Sequence, residues 1–164
     1  MFDRRDARIA AVQFLYGHDL EVVKTDGLAL EKGLLGFWDL HMDKRQGVRD
    51  YAEILIRGVL AYQEEIDKRL TSALDNYRLE RLAVVDRNIA RVAIFEMLHG
   101  KDVPPPVAIN EAIELAKLLN GKESGRFING VLDRLRRDLN LPSYSKGTRK
   151  PEKTPPIAGS SIAN

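Results

Sequence analysis

Arg4, Arg5 and Arg8 open a run that continues Ile9-Ala10-Ala11-Val12-Gln13-Phe14-Leu15-Tyr16, with the apolar spacing of a helix. Three guanidinium groups near a helix N-terminus stand where the macrodipole is already positive, and cations there weaken a helix. Asp3, the expected N-cap, and Asp6 offset part of that cost. The placement makes sense as a site held ready for an anion, since the unpaired N–H groups of a first turn also favour phosphate. The leading candidate is the backbone of RNA. Arg4 and Arg8 share a helix face and Arg5 lies about 100° round from Arg4, so the three can clasp a bent strand. Tyr16 lies two turns beyond Arg8, where its ring can border the same face and stack on a base. The competing reading is that the arginines are solvated or pair with acidic neighbours such as Asp3 and Asp6, with Tyr16 at the rim of the core. Arginines locked internally onto carboxylates, far from any open groove, would remove the electrostatic basis of the RNA reading.

Other chemistry is hard to assemble. His18, His41 and His99 are scattered without metal-ligand spacing and fall at expected helix ends or loops. Glu64 and Glu65 are adjacent on a helix, point about 100° apart, and cannot face one substrate as an acid/base pair. There is no phosphate-cradling GxxxxGK[ST] loop, no GxGxxG after a strand and no GxSxG elbow. The absence of cysteine excludes a disulfide framework, a thiolate metal site and a cysteine nucleophile. No constellation nominates an enzyme, and no cofactor is implied.

The elements that would position these residues are helical almost throughout. Segments are expected at about 4–20, 26–40, 44–71, 84–99 and from the prolines to Asn120-Gly121, with a short turn at 78–82. A last helix, capped by Ser124, carries Phe127, Ile128, Val131, Leu132, Leu135 and Leu139 inward and ends before Pro142. The longest segment places Val48, Tyr51, Leu55, Val59, Tyr62, Ile66 and Leu70 at three- and four-residue steps. Pro104-Pro105-Pro106 is the sharpest break, because proline lacks an N–H and restricts the residue before it. Nothing convincingly alternates with the period of a strand.

The chain has 164 residues, 44% hydrophobic and 30% charged, which suits one soluble domain with a sizeable core. Its formal charge of +2 is unevenly spread. Lys146, Arg149, Lys150 and Lys153 against Glu152 give the end of the chain a net +3, leaving −1 for residues 1–142. A polyanion site on the body must therefore be local. The expected division is a helical body over 1–142 and a flexible basic tail over 143–164. No apolar run approaches the ~18 residues needed to span a bilayer, and a signal-peptide core is missing at Met1.

Four blocks carry a family resemblance. They are Arg4-Arg5 through Tyr16; Val85-Asp86-Arg87-Asn88-Ile89-Ala90-Arg91-Val92-Ala93-Ile94-Phe95-Glu96; Asp102-Val103-Pro104 with Val107 to Lys117; and Arg126-Phe127-Ile128-Asn129-Gly130-Val131-Leu132-Asp133. In order and spacing, over roughly residues 3–138, they resemble the NusB transcription antitermination factor family. The resemblance implies an all-α fold of about seven helices in two perpendicular subdomains forming one compact domain, without enzymatic activity. It also implies a cytoplasmic protein that binds boxA-type RNA of ribosomal operons together with a small-subunit ribosomal protein, NusE, and helps load an antitermination complex on RNA polymerase. Carried over by position, Arg4, Arg5, Arg8 and Tyr16 match the family's RNA-binding helix, with Gln13 on the same motif. Asp86 and Phe127 match the ribosomal-protein interface, and Glu123 falls where an acidic residue lies beside the RNA and partner sites.

Asp6 departs from the family pattern, standing where a further basic residue is common and lowering the local positive charge. The basic tail is an addition that can supply non-specific attraction for RNA. Two rival readings stand beside this one. One is an RNA-targeting or protein-interaction module serving a separate ribosomal-RNA modification enzyme. The other is a purely structural interaction bundle. The residues leave open a homodimer that hides the partner interface.

Overall fold

The computed structural model describes residues 4–21 and 27–143. The expected Asp3 cap and all of the basic tail beyond Ser143 lie outside the described residues. The described residues form seven α-helices: α1 (Arg4–Leu20), α2 (Gly27–Leu40), α3 (Gln46–Ala61), α4 (Gln63–Ala73), α5 (Val84–His99), α6 (Pro105–Asn120) and α7 (Lys122–Asp138). A single 3-10 turn, Leu79–Arg81, precedes α5, and there is no strand among the described residues.

The arrangement follows from α5. Residue 86 and every residue from 88 to 97 are buried on it. A helix buried nearly all round lies at the centre of the packing. It touches α1 and α3 on one side and α4, α6 and α7 on others. The amino-terminal group is α1 laid on α3, with α2 attached through Leu34, Trp38 and the edge of Phe37 against Phe14, ring centroids 5.5 Å apart. Lys44 closes the end of α2 by donating to the carbonyls of Trp38 and Asp39. The carboxy-terminal group is α4, α6 and α7. Pro105 and Pro106 occupy the first turn of α6, where their missing N–H groups have no helical partner to lose.

Two expected boundaries differ. The run expected at 44–71 breaks at Tyr62 (φ −107°, ψ 16°), because two anchors on α5 fix its course. Gly58 lies directly under the Phe95 ring, where a Cβ would sit 2.1 Å from Cζ. Tyr62 stacks on His99 with centroids 3.9 Å apart. The hydrophobic period runs on through the break and cannot reveal it. Ser124 does not cap α7, which starts two residues earlier, after Gly121 at φ +98°. The Ser124 hydroxyl instead donates to Asp86.

The polar residues of α5 tie the two groups together. Arg91, 5% exposed, donates to both oxygens of Asp67 on α4 at 2.8 and 2.9 Å and to Asp19 on α1 at 3.0 Å. Arg87 and Asn88 also donate to Asp19. Burial alone would raise the Asp19 carboxyl, but the bond from Arg87 and the charges of Arg91 and Arg87 outweigh it and hold the group below its ordinary 3.8. A depressed carboxyl stabilises the fold above its unfolded pKa, and that contribution is lost as pH falls through the folded value. In chemical denaturation across acid pH, the unfolding free energy should therefore fall below pH 3.8, and less steeply in Asp19→Asn. Equal acid slopes for the two proteins would refute this role.

Candidate nucleic-acid interface

Helix α1 presents two different faces. Ala7, Arg8, Ala10, Ala11, Val12, Phe14 and Leu15 are buried, whereas Gln13, Tyr16 and Gly17 are exposed and Ile9 is half-buried. The face that Arg4 and Arg8 share therefore turns toward the core from Arg8 onward.

Arg8 is 5% exposed, and its guanidinium grips Glu96 on α5 with Nε and Nη2 at 2.7 and 2.9 Å. The Tyr51 hydroxyl of α3 donates to the same carboxylate at 2.6 Å. Burial by itself would lower the Arg8 pKa, yet the bonded carboxylate more than offsets it and the group is held above its ordinary value. The Tyr51 hydroxyl is pushed up by burial and by the adjoining Glu96 charge. This is a correction to the three-arginine clasp: Arg8 closes a buried ion pair and is not open to a strand.

The other two arginines remain at the surface. Arg5, 43% exposed in its side chain, donates to both oxygens of Glu111 on α6 at 3.0 and 3.1 Å. Glu111 also lies 3.8 Å from Arg8. Arg4 sits over the Tyr51 ring, 4.8 Å from its centroid, with Asp102 3.9 Å away at a mostly exposed position. Three guanidinium groups thus meet Glu96 and Glu111, leaving one positive charge before Asp102 is counted. Asp6 is not among these partners. Asp6 instead pairs with Arg45, which it shares with Asp43. The bond from Arg45 lowers Asp43 to about 2.

Gln13 and Tyr16 lie on the open side of α1, Tyr16 with 44% of its surface exposed. A groove of about 390 Å³ opens beside Gln13, lined by Asp6, Ile9, Gln13, Leu40, His41, Met42 and Asp43. The Asp43 N–H donates to His41 Nδ1 at 3.1 Å, which leaves the proton on Nε2 to donate to Gln13 Oε1 at 3.2 Å. His41 and Arg45 are site neighbours that the sequence reading missed. No periodic signal links residues 28 and 39 positions from their partners.

The expected partner residues gather at the start of α7. Asp86 is 8% exposed and accepts from the Ser124 hydroxyl and from Asn120. Its carboxylate is engaged in pinning the α6–α7 corner. Glu123 is exposed in the first turn of α7, and Phe127, one turn on, is half-buried with its ring edge-on to Tyr77 at 6.3 Å. Among the described residues, no cluster of three His, Asp or Glu side chains could hold a metal ion, and no helix is long and apolar enough to cross a membrane.

The NusB family model matches residues 5–137. The transcription antitermination protein NusB of Desulfotalea psychrophila is 48% identical over 132 residues, covering 79% of this chain and 92% of that protein. The solved structure of T. maritima NusB superimposes with a TM-score of 0.72 at 35% identity, covering 84% of this chain and 92% of the other. A chain in the crystal structure of antitermination factors NusB and NusE in complex with dsRNA matches with a TM-score of 0.67 at 26% identity, covering 82% and 96%.

Truncating one partner of a buried pair strands the other charge, at a cost of about 3–5 kcal/mol. Arg8→Ala should lose stability on that scale in urea denaturation, whereas Arg5→Ala, at a half-exposed pair, should lose about 1 kcal/mol or less. Equal small losses would contradict the structural assignment of Arg8.

Proposed function

The chain belongs to the NusB family, and from that premise we propose that it is a transcription antitermination factor binding boxA-type RNA of ribosomal operons jointly with NusE. It acts by binding and assembly in the cytoplasm, without catalysis, and contributes to loading the antitermination complex on RNA polymerase. The observation that carries the reading is the open strip of α1. Arg5, Gln13 and Tyr16 stand along it, and Arg4 flanks its amino-terminal end. A relative whose crystal structure holds NusB, NusE and dsRNA supports the same reading.

On this reading Arg4 and Arg5 are the phosphate contacts. Their present partners are at or near the surface, so a phosphate can take the place of Asp102 or Glu111 with little reorganisation. Gln13 offers its amide about two turns further along the strip, and Tyr16 offers a ring face for stacking. Arg8 is a positioning residue that fixes α1 through Glu96. Phosphate contacts carry little sequence information, so selectivity for boxA depends on NusE completing the surface. Glu123 and Phe127 serve as its docking points, with Asp86 holding the corner that presents them.

Titration of labelled boxA-type RNA tests this. Arg4→Ala/Arg5→Ala should bind at least about tenfold more weakly and lower the salt slope by about 1.4, the share of two phosphates on a single strand. Tyr16→Ala should lose about 1–3 kcal/mol of RNA affinity. Phe127→Ala should fold, bind RNA alone like the parent, and capture NusE more weakly. Unchanged RNA affinity and slope in the double arginine variant would reject the assignment.

A further inference from the structure

The second feature is on α6 and α7, away from the paired arginines of α1. A groove of about 420 Å³ lies between the two helices, lined by Ile113, Lys117, Lys122, Gly125, Arg126 and Asn129. No carboxylate lines it. The arginines elsewhere on α7, Arg134, Arg136 and Arg137, each hold an aspartate. Arg126 and Lys122 hold none, and neither has a side-chain partner among the described residues. Lys117 is 3.3 Å from Glu114, a pair exposed on both sides and so readily exchanged. Gly125 shapes the wall. A Cβ there would lie 2.7 Å from Lys117 Cγ, so the bare backbone lets the lysine stem lie across α7.

The placement of this groove relative to α1 is set by the turn of α6. At about 100° per residue, Glu111 borders the buried face of α6 on the side of Arg5, and Ile113 and Lys117 border it on the side of α7. The outer face of α6 separates the two sites. A helix is about 10 Å across, a width that a single strand can span. On α7, Lys122 and Arg126 form one stripe at four-residue spacing, and Glu123 and Phe127 form the next.

We propose that this α6–α7 groove is a second backbone site for single-stranded RNA, continuing the track that starts at Arg4 and Arg5 and bringing it beside the NusE docking stripe. The proposal rests on the RNA-binding reading given above. Lysine, arginine and an amide are the side chains that contact phosphates. Protein interfaces instead centre on buried aromatic or aliphatic anchors and are depleted in lysine, and here Ile113 is the only large apolar lining residue. The chain's own tail is excluded as occupant by charge, since it carries a net +3.

The test uses the full-length chain and a labelled single-stranded boxA-type RNA, with and without NusE, over a series of salt concentrations. Lys122→Ala/Arg126→Ala, both exposed positions, should retain the fold, weaken RNA binding about tenfold and lower the salt slope by about 1.4. Lys122→Arg/Arg126→Lys should bind RNA like the parent, because the charge is kept. If the alanine pair binds RNA like the parent while Arg4→Ala/Arg5→Ala does not, the groove carries no RNA and the proposal is overturned with the α1 reading intact. If neither pair weakens binding, the α1 reading falls as well. Loss of NusE capture with RNA affinity unchanged would also overturn the proposal and assign the groove to a protein.

Discussion

The buried ion pair of Arg8 and Glu96 is the constraint from which the geometry of the candidate site follows. Two charges, each at most 6% exposed in its side chain, sit where an unpaired one would be intolerable. Each can be buried only if α1 and α5 keep one register, with the Tyr51 hydroxyl of α3 adding a second donor to Glu96 Oε2. That register turns Gln13 and Tyr16 outward and leaves Arg4 and Arg5 at the mouth of the same helix. The second buried cluster, Arg91 between Asp19 and Asp67, holds the far end of α1 against α5 and α4. Helix α1 is thus fixed at both ends by charges on the central helix, and its open strip is rigid in placement although its side chains are at the surface.

The same pairing decides the electrostatics. Three arginines at a helix start suggest a strongly positive patch, but Glu96 and Glu111 offset two of the charges and Asp102 stands 3.9 Å from the third, on Arg4. On the reading proposed above, a nucleotide chain must compete with Glu111 for Arg5, so α1 alone offers modest attraction. Additional affinity then has to come from cations off α1 or from a partner. Arg126 and Lys122, without carboxylates, stand beside the residues that resemble the family's ribosomal-protein interface. An RNA lying over both helices would link its two binding functions.

Much of the fold was legible in the sequence because helix periodicity is local. The segments expected at 26–40 and 84–99 match α2 and α5 closely, and the prolines mark the start of α6. The break at Tyr62 was hidden, since its cause is a ring and a glycine contact on a different helix. At the site, Arg4, Arg5, Gln13 and Tyr16 were legible as exposed members of a basic helix start. The inward turn of Arg8 was not read, although Ala7, Ala11 and Leu15 beside it on the helical wheel are all core-sized or apolar. Its partner lies 88 residues away, within Ile94-Phe95-Glu96-Met97, where an acid inside an apolar run is itself a sign of a buried cation. Asp86 illustrates the same limit: its position resembles an interface residue, and its carboxylate is engaged by Ser124 and Asn120.

On the reading proposed above, Arg8 places the open strip of α1 and does not touch RNA. Replacing a buried charged cluster by apolar residues of similar volume can preserve stability. The direct measurement is therefore RNA affinity of Arg8→Met/Tyr51→Phe/Glu96→Leu, alongside its urea unfolding curve. The account predicts a folded protein with near-parental stability and RNA affinity within about twofold of the parent, since no phosphate contact has been removed. A folded triple variant that binds RNA tenfold or more weakly, with a salt slope lowered by about 0.7 for one lost phosphate, would show that Arg8 contacts the strand and contradict the account.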